Sequence, residues 1–143
     1  MIKKEKYSAA ILVIGDEILS GRTQDTNSNY IAKELEMMGI TTSEIRVIPD
    51  EKSIIIYSVN ELRNKNNYLF TTGGIGPTHD DITADSIAEA FGVDLEVNSE
   101  AYDILKKYYK AIGSEFNEVR QRMARIPKGA ILIKNPISAA PGF

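Results

Sequence analysis

The sequence predicts an α/β domain built on a mainly parallel sheet with helices on both faces. Three observations predict it. Strand-like and helix-like segments alternate three times from the N-terminal end. The first strand-like segment, residues 9–14, is apolar without interruption, as expected of a central strand covered on both sides. The chain of 143 residues is 43% hydrophobic, enough to bury a core without a disulfide or structural metal. No repeat, low-complexity tract or Pro/Gly/Ser linker divides it, so residues 1–143 read as one domain.

After the first strand and a loop comes a helix that Asp25 or Thr26 caps. Ile31, Leu35 and Met38 fall at helical spacing, and Gly39 is its left-handed stop. Residues 45–48 form a second short strand. Asp50 stands directly before a helix whose apolar face is Ile55, Val59 and Leu62. Tyr68–Thr72, aromatic and β-branched, is the third strand. Beyond a glycine-rich loop, Ala84, Ile87, Ala88 and Phe91 mark a third helix closed by Gly92. Val93, Leu95 and Val97 alternate with acids, the pattern of an exposed edge strand. Ser99 caps a fourth helix carrying Tyr102, Leu105, Tyr109 and Ile112, with Gly113 as its stop. Phe116, Val119 and Met123 mark a fifth, ended by Ile126-Pro127, and residues 130–133 form a last short strand.

Composition narrows the function. There is no cysteine, which excludes disulfide frameworks, zinc-thiolate sites, iron–sulfur clusters and cysteine nucleophiles. Seventeen basic against 20 acidic residues give a net charge of −3, which argues against a basic nucleic-acid binder. Lys3, Lys4 and Lys6 before the apolar run resemble a signal peptide, but that run ends in Gly15-Asp16-Glu17 rather than a small-residue cleavage site. No stretch approaches the roughly 20 apolar residues of a membrane span. The expected location is the cytoplasm, with no membrane partner.

Three segments can carry chemistry. Thr72-Gly73-Gly74-Ile75-Gly76-Pro77-Thr78 leads through His79-Asp80-Asp81-Ile82-Thr83 into the third helix. Its glycines admit close approach of a ligand, and N–H groups at a helix start bind anions. It is neither a Walker A loop nor a dinucleotide fingerprint. The alternative is a tight glycine turn with Asp80, Asp81 and Thr83 as helix caps. The second segment, Gly15-Asp16-Glu17-Ile18-Leu19-Ser20-Gly21, follows the first strand and reads equally as a solvated turn. The third is Asp50 after the second strand, which reads equally as a cap. Because all three follow strands, the topology sends Asp16, Glu17, Asp50, Asp80 and Asp81 toward one rim around the glycine loop. Carboxylates beside a phosphate repel it unless a cation lies between them, which implies a Mg²⁺-like, oxygen-ligated ion. His79, a lone loop histidine, reads as a surface side chain, and Ser20 lacks a nucleophile-elbow context. Arg120, Arg122, Arg125 and Lys128 read first as a solvated helix face and second as an anion or subunit contact. Tyr102, Tyr108 and Tyr109 read as packing residues.

These motifs, together with Asp25-Thr26-Asn27-Ser28 and Asn135-Pro136 before Ala140-Pro141-Gly142-Phe143, resemble the molybdopterin-binding (MoaB/Mog-like) superfamily. Within it they are most similar to the N-terminal domain of CinA-type competence/damage-inducible proteins. The resemblance implies a three-layer α/β/α fold with a mixed sheet and a homo-oligomer, trimer or dimer. It also implies a pocket for a phosphorylated pterin or nucleotide. In the adenylyltransferase branch two Asp residues are essential, and they match Asp50 and Asp81. CinA-type relatives are linked instead to metal-dependent cleavage of the pyrophosphate in ADP-ribose-like nucleotides, and a related domain in FAD synthetases hydrolyses flavin nucleotides. The chain stops where such relatives continue, so the expectation is a domain truncated at its C-terminal end, with no carry-over of their separate deamidase domain.

The expected function is therefore binding of a phosphorylated nucleotide or pterin with a divalent metal, Mg²⁺ first, and hydrolysis of a pyrophosphate bond in an ADP-ribose- or FAD-like substrate. Asp50 and Asp81 would be catalytic, and Asp50, Asp80 and Asp81 would ligate the metal. Gly15, Asp16, Glu17, Ser20, Gly21, Thr72, Gly73, Gly74, Gly76, Pro77, Thr78 and Thr83 would line the ligand. The alternatives are molybdenum-cofactor biosynthesis by molybdopterin adenylyl transfer or pterin handling, and a non-catalytic binding module.

Overall fold

A central strand with nothing polar on either face needs two neighbours and two covering layers. The computed structural model, which describes residues 7–143, gives it both. Lys3, Lys4 and Lys6 lie outside the described residues. The chain divides into two compact units, Met1–Gly73 and Gly74–Phe143.

The first unit runs β1 (Ser8–Ile14), α1 (Asp16–Leu19), α2 (Asn27–Met37), β2 (Thr41–Ile48), α3 (Lys52–Lys65) and β3 (Tyr68–Thr72). Its sheet has the order β2-β1-β3, and both pairings are parallel. Ala9 through Ile14 are all at most 3% exposed, the burial that the unbroken apolar run requires. Ala9, Ile11 and Val13 pack with Leu35, Ile31 and Ala32 of α2. Pleating turns Ala10, Leu12 and Ile14 to the other face. Helix α3 packs on β1 and β3 and buries Ile55, Val59 and Leu62, the face expected of it. The α/β fold with a mainly parallel sheet is thus the one the sequence predicts.

Local differences have identifiable causes. The expected loop after β1 contains the short helix α1. The Asp25 carboxylate, rather than the Thr26 hydroxyl, caps α2 by accepting the Ser28 N–H at 3.1 Å. Strand β2 begins at Thr41 rather than residue 45, because its polar first half ladders with β1 from Ser8 onward. A bulge between Ala9 and Ala10 leaves Ser43 without a partner position, and its hydroxyl donates to the Ala9 carbonyl at 3.2 Å. Arg46 of β2 joins Glu44 and Glu61 of α3, both at 2.7 Å, and Lys65 reaches Glu61 at 2.5 Å. Lys65 first and Arg46 second hold the Glu61 carboxyl below its ordinary value, while Glu44 and Glu61 hold the Arg46 guanidinium above its own.

The second unit runs α4 (Thr83–Phe91), β4 (Leu95–Val97), α5 (Ser99–Ala111), α6 (Glu118–Gln121), a 3₁₀ turn (Arg122–Ala124) and β5 (Arg125–Pro127). The edge strand β4 forms a separate antiparallel pair with β5, matching Leu95 to Pro127 and Val97 to Arg125. This corrects the expected fifth helix. It tightens after Gln121 and opens into strand, because the backbone of β4 offers ladder partners that the local pattern does not reveal. Residues 130–133 form no strand: only Ile133 bridges to Gly142, through two hydrogen bonds of 2.7 and 3.0 Å. Pro136 and Pro141, without N–H groups, break up the surrounding segment. Asn98, not Ser99, caps α5 by accepting the Ala101 N–H. Helix α4 buries Thr83, Ser86 and Ala88 and leaves Phe91 exposed, so its inner face is small and partly polar rather than aromatic. The core is Ala101, Leu105, Met123, Ala124 and Ile126, flanked by the rings of Tyr102, Tyr109 and Phe116. Tyr109 stacks on Phe116 and Tyr102 meets it edge-on, as packing residues do. Among the described residues no helix is long and apolar enough to cross a membrane.

Candidate functional site

In a parallel sheet all strands end on the same side, so the residues that follow them share a rim. In the first unit, β1 delivers Gly15 and Asp16, β2 delivers Asp50, and β3 ends in Thr72 and Gly73. The Gly15 N–H continues the ladder to the Ile48 carbonyl at 3.0 Å. The next N–H, that of Asp16, donates to the Asp50 carboxylate at 2.9 Å. Asp50 is therefore not the cap of α3, whose N-cap is Glu51 with no side-chain cap bond. Its carboxylate is oriented by the turn that follows β1.

Gly73 shows how close this packing is. Its φ is +93°, and a Cβ there would lie 1.9 Å from the Ile14 carbonyl oxygen, so no other residue fits. Glu17 folds its carboxylate over Gly15, where a Cβ would meet both oxygens at 2.7 Å. Ser20 ends α1, its hydroxyl donating to the Glu17 carbonyl and accepting from Arg22 Nε, and Gly21 follows in the left-handed region. Asp16, Glu17 and Asp50 thus share one end of the sheet with Gly15, Thr72 and Gly73, as the topology predicts.

The second unit carries a cleft of its own. Gly74, Ile75 and Gly76 of the loop line it, with the acids Asp81 and Asp85. Arg122 and Arg125 line it too. Asp81 Oδ2 accepts both the Thr78 N–H at 2.9 Å and the Thr78 hydroxyl at 2.6 Å. A Cβ on Gly76 would fall 2.7 Å from that same oxygen, so the glycine makes room for the acid. Thr83 is fully buried, and its N–H donates to the Gly74 carbonyl at 3.1 Å, which closes the loop onto the start of α4. The N-cap of α4 is Ile82, without a side-chain cap bond, so Asp80, Asp81 and Thr83 do not serve as its caps. Pro77 and Thr78 complete the loop between Gly76 and Asp81. His79 and Asp80 face solvent, 3.0 Å from each other, in keeping with a surface histidine.

The basic residues separate into distinct roles rather than one solvated helix face. Arg120 lies over the Tyr109 ring at 4.4 Å and donates to the Glu115 carbonyl. Arg125 grips Asp85 with both terminal nitrogens, at 3.3 and 3.1 Å. Arg122 lines the cleft, and its Nε is buried without a hydrogen-bond partner among the described residues. Asp85 and Arg122 have no strong sequence signal. Asp85 is 40 residues from its partner, and Arg122 gains its place only where the helix tightens into a 3₁₀ turn.

Among the described residues no group of three or more His, Asp or Glu side chains is placed to hold a metal ion. A Mg²⁺ ion does not need such a cage, since it takes one or two carboxylates and completes its shell with phosphate oxygens and water. The Asp81 carboxylate on an open cleft fits that donor set.

A family model described as "Probable molybdopterin binding domain" matches residues 10–143. The chain belongs to this molybdopterin-binding family. A crystal structure of a CinA protein of unknown function from Thermoplasma acidophilum is similar at 32% identity and a TM-score of 0.88, covering 96% of this chain and 80% of that one. A CinA-like protein from Citrifermentans bemidjiense is 41% identical over 134 residues, 94% of this chain and 32% of its own length. A relative from Sulfurisphaera tokodaii is 40% identical over 140 residues, 97% of this chain. The chain spans about half the length of that relative and a third of the CinA-like protein. The tungsten cofactor synthesizing protein MoaB from Pyrococcus furiosus shares the fold, with a TM-score of 0.57 at 24% identity over 76% of this chain and 66% of that one.

Proposed function

We propose that this molybdopterin-binding-type domain binds a phosphorylated nucleotide or pterin and hydrolyses a pyrophosphate bond in it with the help of a divalent cation. One observation supports the reading above the others. Asp50 and Asp81, the two acids marked by the family resemblance, each have the carboxylate held by a backbone N–H of a neighbouring glycine-bearing turn, from Asp16 in the first unit and Thr78 in the second. A carboxylate held by a backbone N–H has a restricted orientation, and reacting groups need such restriction because they must be held within a fraction of an ångström.

Asp81 would hold the cation on the cleft of the second unit, leaving the loop of Gly74, Ile75 and Gly76 to receive phosphate oxygens against its backbone. A Mg²⁺-type ion, when bound, would neutralise phosphate charge and acidify a coordinated water. In the hydrolysis a water oxygen would bond to one phosphorus while the bridging P–O bond breaks, and the departing phosphate would keep the electron pair. An Asp carboxylate takes the proton that the water loses. Two monophosphates result. The family description also supports a second reading, in which the bound ligand is molybdopterin, and the match of Asp50 and Asp81 to the adenylyltransferase branch adds transfer of an adenylyl group to it from ATP.

Incubation with ADP-ribose or FAD and Mg²⁺ or Co²⁺ tests the first reading. Turnover by the wild type and a loss of at least about a hundredfold in Asp81→Ala is the expected result. Wild-type turnover no faster than the variant's overturns it. Adenylylation of molybdopterin from ATP, with no hydrolysis of either nucleotide, would establish the second reading.

A further inference from the structure

The basic residues of the second unit differ in what neutralises them. Arg125 is spoken for by Asp85, and Arg120 by a carbonyl and a ring. Arg122 lines the same cleft as the glycine loop, yet no carboxylate pairs with it among the described residues, whereas its buried, unpartnered Nε is a feature it shares with Arg125. Met123 and Ala124, both buried, anchor the 3₁₀ turn that carries it. The arginine is therefore held in place by packing, with its charge uncompensated.

We infer that Arg122 is the phosphate-binding arginine of this cleft, its terminal nitrogens receiving a diphosphate whose other oxygens lie against Gly74, Ile75 and Gly76. The inference rests on the proposed phosphate chemistry and adds the residue that makes it electrostatically feasible. Asp81 and Asp85 also line the cleft, and bare carboxylates would repel the ligand. Arg125 cancels Asp85. Arg122 supplies a further positive charge on the cleft that Asp81 lines, and a guanidinium is the side chain whose planar donors match phosphate oxygens in pairs.

The test is calorimetric titration of the full chain with inorganic pyrophosphate, using wild type, Arg122→Ala and Arg122→Lys, with circular dichroism and thermal melts to check folding. The expected result is binding by the wild type, an affinity about tenfold or more weaker in Arg122→Ala, partial recovery in Arg122→Lys, and a shallower salt dependence in the alanine variant. With ADP-ribose as substrate, Arg122→Ala should raise KM. Equal pyrophosphate affinity in wild type and Arg122→Ala overturns the inference, even if hydrolysis proceeds and the function proposed above stands. If the alanine variant does not fold, Arg122→Gln decides, and wild-type affinity with an unchanged salt slope there is the contrary result. Pyrophosphate binding that depends on Arg122, without any hydrolysis of ADP-ribose or FAD, upholds the inference and overturns the hydrolase reading. No pyrophosphate binding by the wild type overturns this inference.

Discussion

Gly73 and Gly76 are three residues apart and belong to different units, and they are glycines for different reasons. At Gly73 the obstacle to any side chain is the main-chain carbonyl of Ile14, in a strand buried on both faces. At Gly76 it is the carboxylate of Asp81, the tip of a side chain tied to Thr78. The first unit sets its residues by backbone ladder, register and close approach. The second sets them by hydrogen bonds among side chains and loops, with only a two-stranded ladder to help. Backbone obstacles do not yield, whereas side-chain obstacles can swing away at some cost to function. The first region should therefore fail in stability and the second in activity.

Substituting Gly73 should produce the largest effect. Gly73→Ala sets a methyl group against a carbonyl at 1.9 Å and at a positive φ, and should cost about 4 kcal/mol or more, seen as a collapse of the urea midpoint or failure to fold. A wild-type midpoint would show that the backbone there can relax. Gly76→Ala should cost only about 1 kcal/mol, because Asp81 can rotate, but the displaced carboxylate should lower hydrolysis at least about tenfold. Unchanged activity with lost stability would erase the distinction between the two units. The smallest effect concerns acid. The Glu61 carboxyl lies below its ordinary value of 4.5 because Lys65 and Arg46 donate to it. Its contribution is therefore fully present above that pH, and is lost as pH falls through the depressed value of the folded state. Glu61→Gln should remove this segment of the acid limb in pH-dependent melts, so that wild type and variant converge at low pH. Curves that remain parallel would show that the Arg46–Glu61–Lys65 group is electrostatically idle.

The contrast also explains what could be read from the residues alone. Strand β3 was legible to its ends as Tyr68–Thr72, and the buried face of α3 as Ile55, Val59 and Leu62, because both follow from local periodicity. Asp50 and Asp81 were legible as candidates because they follow strands. The N–H groups that hold them were not, because those bonds depend on the path of turns rather than on residue type. Strand β5 was hidden for another reason. Its pairing with β4 joins segments 30 residues apart, Leu95 to Pro127 being 32, and overrides a helical pattern in Val119 and Met123. The division of the arginines among Asp85, Tyr109 and an open cleft was hidden likewise, since spacing records that they are close in sequence but not what each one faces.

The bulge at Ser43 bears on how the domain tolerates change. The extra residue sits at the opposite end of the ladder from Asp50, and below it the pairing from Ile11 with Ile45 to Ile14 with Ile48 runs without a break. Loss of the unpaired residue at Ser43 should be absorbed there without shifting the rim. A one-residue deletion at that point in β2 should therefore leave the chemistry intact, whereas the same change between Ile45 and Asp50 would turn every later side chain to the wrong face.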